Sequence, residues 1–181
     1  MLGAAPERPG PVGIVGDVHI LLATDAPWIV DEVTAALGGP ETSFTVCREG
    51  RKVAGIVADR TPDLVIADLQ VGSMGGMAIS MAMRLDESAG TLPHVPILML
   101  VDRRSDAFLA HRSGTDGWIV KPLDALRLQR AVRAIVDGGR FTDGLPDPRT
   151  PAGADDEDDG GTDADAADDE APAEEVAPSG G

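Results

Sequence analysis

The sequence predicts an α/β domain built on a parallel sheet with helices on both faces. Five apolar runs, each too short for a helix and too unbroken for a strand with one wet face, alternate with five segments of helical period. Such alternation calls for right-handed crossovers, which lay the helices over both faces of one sheet. A chain of 181 residues has room for one such domain plus tails.

Residues 1–16, rich in Gly, Pro and Ala without a period, read as a flexible N-terminal arm. His19 to Ala23 is the first strand, ending at Thr24-Asp25, and Pro27 sits where proline suits the first turn of a helix. Ile29, Val33 and Leu37 then recur at helical spacing up to Gly38-Gly39-Pro40. Ser43 to Cys47 is a weaker strand, and Val53, Ile56 and Val57 mark a second helix that stops before Thr61-Pro62. The third run, Leu64 to Ala67, stops at Asp68. Met77 to Leu85 carries Met and Ala at core spacing, a stripe that signals packing rather than a cofactor box. Ile97 to Val101 is the fourth run, a short helix from Ser105 to Arg112 closes at Gly114, and Trp118 to Val120 meets Lys121-Pro122. Asp124 is placed to cap a last helix whose Leu128, Val132 and Ile135 share a face. Residues 141–181 lose the apolar period and read as a disordered acidic tail, so the expected domain covers 17–140.

Charge divides along the same boundary. Residues 151–181 hold 12 acids and no Lys or Arg, leaving 19 acids and all 15 bases in residues 1–150. The net charge of −16 therefore belongs mostly to the tail, and no basic stripe suits a phosphate backbone, so no direct nucleic-acid contact is expected. One cysteine, Cys47, excludes an internal disulfide and reads as a small buried hydrophobe. The start lacks the pattern of a signal peptide and no run could span a bilayer, so the expectation is a cytoplasmic protein with no membrane contact.

In open parallel sheets chemistry sits beyond the carboxyl ends of the strands. A lone strand-terminal Asp usually starts a turn or caps a helix. Here Asp25 ends the first strand, Asp68 the third, and Lys121 follows the fifth. If the sheet is doubly wound, the first and third strands are neighbours and the two carboxylates approach each other. They repel unless a cation lies between them, and hard oxygen ligands with water access suit Mg²⁺. Lys121 is one of only two lysines against 13 arginines, a compact point charge kept where arginine is the habit; without the two Asp residues it would read as a solvated loop lysine. His19, His94 and His111 lack metal-ligand spacing and read as structural or surface groups, and no phosphate-binding glycine loop or nucleophile elbow is present.

With ILLATDAP at the first strand, PDLVIADLQVGSMGG at the third and GTDGWIVKPLDALRL at the fifth, the stretch from Asp17 to Gly138 resembles the receiver domains of two-component response regulators, of the chemotaxis-regulator kind. DRRSDAFLAHRSGTDGWIVKPLD is similar to an actinobacterial branch of that family. The resemblance implies a flavodoxin-like sheet in the order 2-1-3-4-5. It implies that Asp68 accepts a phosphoryl group from a sensor histidine kinase or phosphotransfer protein, with Mg²⁺ held by Asp25, Asp68 and the backbone carbonyl of Gln70. Lys121 would contact the phosphoryl group, and Pro122 would follow a cis peptide bond. The chain departs from the family at Thr24, which replaces one member of the acidic pair, and at Val101, which replaces the hydroxyl that bonds the phosphoryl group. Trp118 replaces the switch Tyr or Phe and by its bulk opposes an inward position, while Gly72 and Gly75 replace Pro and Asp and loosen their loop.

Three functions follow. The first is a single-domain response regulator of a phosphorelay, signalling to a downstream protein or to a second copy through the fourth helix, fifth strand and fifth helix. The second is an atypical, degenerate receiver acting as a phosphorylation-independent interaction module, and the third a small flavodoxin-like enzyme or cofactor carrier. Arg103, Arg104, Arg112, Arg127, Arg130 and Arg133 on the last two helices face two possible relations to the acidic tail: a tail that folds over them and competes with a partner, or a solvated tail that aids solubility.

Overall fold

The computed structural model describes residues 17–143; the arm of residues 1–16 and the tail beyond 143 lie outside them. Five parallel strands, β1 (Val18–Ala23), β2 (Thr42–Cys47), β3 (Leu64–Asp68), β4 (Ile97–Val101) and β5 (Gly117–Val120), form one sheet in the order β2-β1-β3-β4-β5. Between and after them run α1 (Pro27–Leu37), α2 (Val53–Asp59), α3 (Gly76–Ser88), α4 (Ala107–Arg112) and α5 (Ala125–Val136). This is the flavodoxin-like arrangement expected from the sequence.

The unbroken apolar runs are explained by two packed faces. Ile20, Leu22, Leu64, Ile66, Leu98 and Leu100 point to the side covered by α1 and α5, against Ile29, Val33, Leu128 and Ile135. The alternate residues Leu21, Ala23, Val65 and Ala67 face α2 and α3, against Val57, Ile79 and Met83. A strand with helices on both sides has no wet face, so alternation vanishes from its sequence. β2, at the edge, is only partly buried, and its weaker pattern follows.

Three boundaries differ from the sequence expectation. α3 continues to Ser88, past an exposed Leu85 that belongs to no apolar face, and the chain leaves through Gly90 at φ +74. The expected fourth helix is a 3₁₀ turn over Arg104–Asp106 leading into α4. Residues 141–143, which the sequence assigns to the tail, are bonded to the sheet: Phe141 bridges Gly117, and Val120 N–H donates to Asp143 Oδ2 at 2.8 Å. Only glycine suits position 117, where a Cβ would lie 2.5 Å from the Phe141 carbonyl oxygen. Among the described residues no helix is long and apolar enough to cross a membrane.

Candidate functional site

Adjacency of β1, β3, β4 and β5 brings the residues that follow them to one end of the sheet. Asp68, the last residue of β3, is 2 % exposed yet carries a carboxylate with several donors. Lys121 Nζ donates to its Oδ1 at 2.7 Å, the Gln70 N–H donates to the same oxygen at 3.1 Å, and Thr24 Oγ1 donates to Oδ2 at 3.0 Å. A buried charge survives only with such partners. Lys121 is placed by its own backbone, whose N–H donates to the Val101 carbonyl at 2.8 Å, and the peptide bond to Pro122 is cis.

Asp25 is exposed and held from the other side of the crevice: the Gly72 N–H donates to its Oδ2 at 3.0 Å. Position 72 supplies that N–H, and a Cβ there would lie 2.8 Å from the same oxygen, so a larger residue would have to displace the Asp25 carboxylate. The Gly72 carbonyl in turn accepts from Gly50 N–H. The glycine expected to loosen this loop thus fastens it to Asp25 and to the turn after β2.

Thr24, fully buried, is bonded at both ends, since its Oγ1 also accepts the Ala26 N–H at 3.2 Å. Val101 is fully buried and offers no polar group. Trp118 is 1 % exposed, packed with Met99, Val101, Ala107 and Ala110. The expectation that its bulk opposes an inward position is corrected: two alanines on α4 make the room. Its Nε1 has no hydrogen-bond partner among the described residues.

Two members of the site were missed in the sequence. Asp102, directly after β4, accepts a second hydrogen bond from Lys121 Nζ at 2.9 Å. Trp28, in the first turn of α1, lies with its ring centroid 5.6 Å from the same ammonium. Asp102 carried the same signal as Asp25 and Asp68, an acid directly after a buried run. Burial opposes the Lys121 charge, but the hydrogen bonds and charges of Asp68 and Asp102 outweigh it and raise the pKa above the ordinary lysine value. Asp102 and Gln70 also line a cleft of about 450 Å³, together with Leu69, Arg103, Asp106 and Leu109.

Among the described residues no three His, Cys, Asp or Glu side chains converge as a metal cage. The oxygens that the resemblance implies for Mg²⁺ are those of Asp25, which is exposed, of Asp68, which is 2 % exposed, and the Gln70 carbonyl; hard oxygen donors of this kind suit Mg²⁺, an ion that keeps several waters and uses few protein oxygens. His19 is buried, with Nε2 2.8 Å from Thr45 Oγ1, and His94 lies 2.7 Å from Glu87, so neither belongs to the site. On the arginine-bearing face, Arg127 turns inward to the Val120 and Pro122 carbonyls and Asp143. Arg112 lies over the Phe108 ring.

Comparison with known proteins agrees with this fold. The response regulator receiver domain family matches residues 20–133. The DNA-binding response regulator MtrA of Mycolicibacterium smegmatis is 31% identical over 118 residues, 64% of this chain and 49% of MtrA, so the chain spans about half the length of that relative. Protein PilH of Pseudomonas aeruginosa is 23% identical over 120 residues, 66% of this chain and 98% of PilH. Among solved structures, chemotaxis response regulator CheY4 of Vibrio cholerae superposes with a TM-score of 0.56 at 22% identity, over 64% of this chain and 95% of CheY4. The receiver domain of NtrX from Brucella abortus does so with a TM-score of 0.56 at 24% identity, over 66% of this chain and 98% of that one.

Proposed function

The chain belongs to the response regulator receiver domain family, and on that premise we propose that it accepts a phosphoryl group on Asp68 from a sensor histidine kinase or phosphotransfer protein. Receiver domains are signalling modules of two-component systems. What supports the reading is the Lys121 ammonium 2.7 Å from Asp68 Oδ1 at the carboxyl end of the sheet.

An Asp68 carboxylate oxygen attacks phosphorus, and the bond to the donor's leaving group breaks with its electron pair. Lys121 offsets the negative charge on the transferred oxygens. Asp25, Asp68 and the Gln70 carbonyl would hold Mg²⁺, which when bound neutralises charge on the phosphoryl oxygens. Attack by water on phosphorus later releases inorganic phosphate and restores the carboxylate. The signal leaves through protein contacts on α4, β5 and α5, made with a downstream protein or a second copy.

A second reading, a phosphorylation-independent interaction module, is favoured by one set of observations. Both oxygens of Asp68 already accept hydrogen bonds, Val101 has no donor to offer a phosphoryl group, and Trp118 is inward at rest. Incubation with acetyl phosphate and Mg²⁺ separates the two: the first predicts a gain of one phosphoryl group that Asp68→Asn abolishes, the second no gain.

A further inference from the structure

Lys121 serves two carboxylates of unequal burial. Asp68, 2 % exposed, accepts at 2.7 Å, and Asp102, whose side chain is 36 % exposed, accepts at 2.9 Å. An ammonium has three hydrogens. Two are spent on these acids, and the Trp28 ring occupies a further side at 5.6 Å. An incoming phosphoryl oxygen therefore competes with these partners for the Lys121 charge. Before transfer, Asp68 has no water to replace a lost bond, whereas Asp102 regains water as soon as it swings out, so Asp102 is the partner more readily displaced.

The bond also reaches the start of a distinct loop. Asp102 follows Val101, whose carbonyl is fixed by the Lys121 N–H, and it precedes the turn closed by Arg103 N–H to Asp106 Oδ2 at 3.1 Å. The Asp102–Lys121 contact is thus the side-chain link between the acceptor and the segment leading into α4. Its sign opposes an incoming donor, since Asp102 adds a negative charge beside the place where an anionic phosphoryl group must arrive, and takes a share of the Lys121 charge.

Building on phosphoryl acceptance at Asp68, we propose that Asp102 is a positioning residue that occupies one donor of Lys121 at rest, restrains phosphoryl transfer, and is expelled from Lys121 when the phosphoryl group arrives. The loop into α4 is then driven outward by charge repulsion, in a site where Val101 has no hydroxyl with which to draw it in.

The test uses the full chain and two readouts. The first needs no phosphorylation: acylation of Lys121 by an N-hydroxysuccinimide ester, read by peptide mass spectrometry with Lys52, the other lysine, as internal reference. Asp102→Ala should raise the Lys121-to-Lys52 labelling ratio about threefold, and Asp102→Glu should restore the parent value. An unchanged ratio in Asp102→Ala overturns the proposal. The second readout is the initial rate of mass gain from acetyl phosphate, expected to be about threefold to fivefold faster in Asp102→Asn and Asp102→Ala than in the parent. Equal or slower rates also overturn it. If neither parent nor variants take up phosphate, phosphoryl acceptance itself fails, and the labelling ratio alone decides whether Asp102 holds Lys121.

Discussion

Thr24 Oγ1 donates to Asp68 Oδ2 across 3.0 Å, inside a crevice where Thr24 is fully buried and Asp68 is 2 % exposed. A neutral hydroxyl therefore stabilises the Asp68 carboxylate, at a position where the family resemblance calls for another acid. The substitution exchanges a repulsion relieved by a cation for a hydrogen bond that needs none.

Thr24→Asp should consequently lower the melting temperature without Mg²⁺, by an amount corresponding to about 1–3 kcal/mol, because two buried carboxylates then face each other. Added Mg²⁺ should stabilise this variant more than the parent, since a ligand that binds only the folded state raises stability with its concentration over Kd. Thermal scans of both proteins across a Mg²⁺ series measure the difference; equal Mg²⁺ responses would contradict the role given to the hydroxyl.

Val101→Thr is nearly isosteric but places a hydroxyl among Met99, Ala107, Ala110 and Trp118. We expect a loss of about 1–2 kcal/mol in urea unfolding of the resting protein. With a donor now available to the phosphoryl group, part of that loss should be recovered on phosphorylation, and the Trp118 emission should change more than in the parent. A variant as stable as the parent at rest would show that the hydroxyl finds a partner in this cluster.

Arg84 ties three segments together. Its guanidinium donates to Asp116 Oδ2 at 2.6 Å, to Glu87 at 2.8 Å and to the Val95 carbonyl, while Nε donates to the Gly114 carbonyl. Asp116 in turn accepts the Ile97 N–H at the start of β4. Arg84→Met, which keeps the stem, should cost about 1–3 kcal/mol because Asp116 and the two carbonyls lose their donor. Chemical denaturation measures it, and a change within about 0.5 kcal/mol would place this network among contacts of no consequence.

His19 gives a pH signature. Burial, and then the positive charge of Arg60, hold its pKa below the ordinary imidazole value. The unfolded chain therefore takes up a proton below about pH 6.5 that the folded chain refuses, so stability is present above that pH and is lost as pH falls toward the folded pKa. The slope from this group is bounded at about 1.4 kcal/mol per pH unit. His19→Gln should flatten the difference in urea midpoint between about pH 7.5 and about pH 5.5. An identical pH dependence in the variant would assign the effect elsewhere.

What could be read from the sequence followed the range of the interactions involved. Leu64 to Asp68 announces a buried strand with an acid at its end because both facts are local. The cap at Asp124 is local too, and its carboxylate accepts the Arg127 N–H at 2.8 Å. Arg84 looked like any helical arginine, since its partners lie as far as 32 residues away. Phe141 stood alone beyond Gly138-Gly139, and only the backbone bridge to Gly117 shows that the chain returns to the sheet. At the site, Asp25, Asp68 and Lys121 were found from their strand ends. Trp28 was not, because its place over the ammonium depends on how α1 leaves β1. Trp118 was misjudged because its volume was weighed without the small Ala107 and Ala110 facing it.

The most direct measurement of the central claim locates the phosphoryl group. The protein is incubated with acetyl phosphate and Mg²⁺, the acyl phosphate is trapped by borohydride reduction, which converts the acceptor aspartate to homoserine, and the tryptic peptide spanning residues 61–84 is sequenced by mass spectrometry. Modification at Asp68, absent at Asp63 in the same peptide and absent without Mg²⁺, is the predicted result. Modification at another acid, or none in a protein that remains folded, would contradict acceptance at Asp68 and leave the interaction module as the function of this domain.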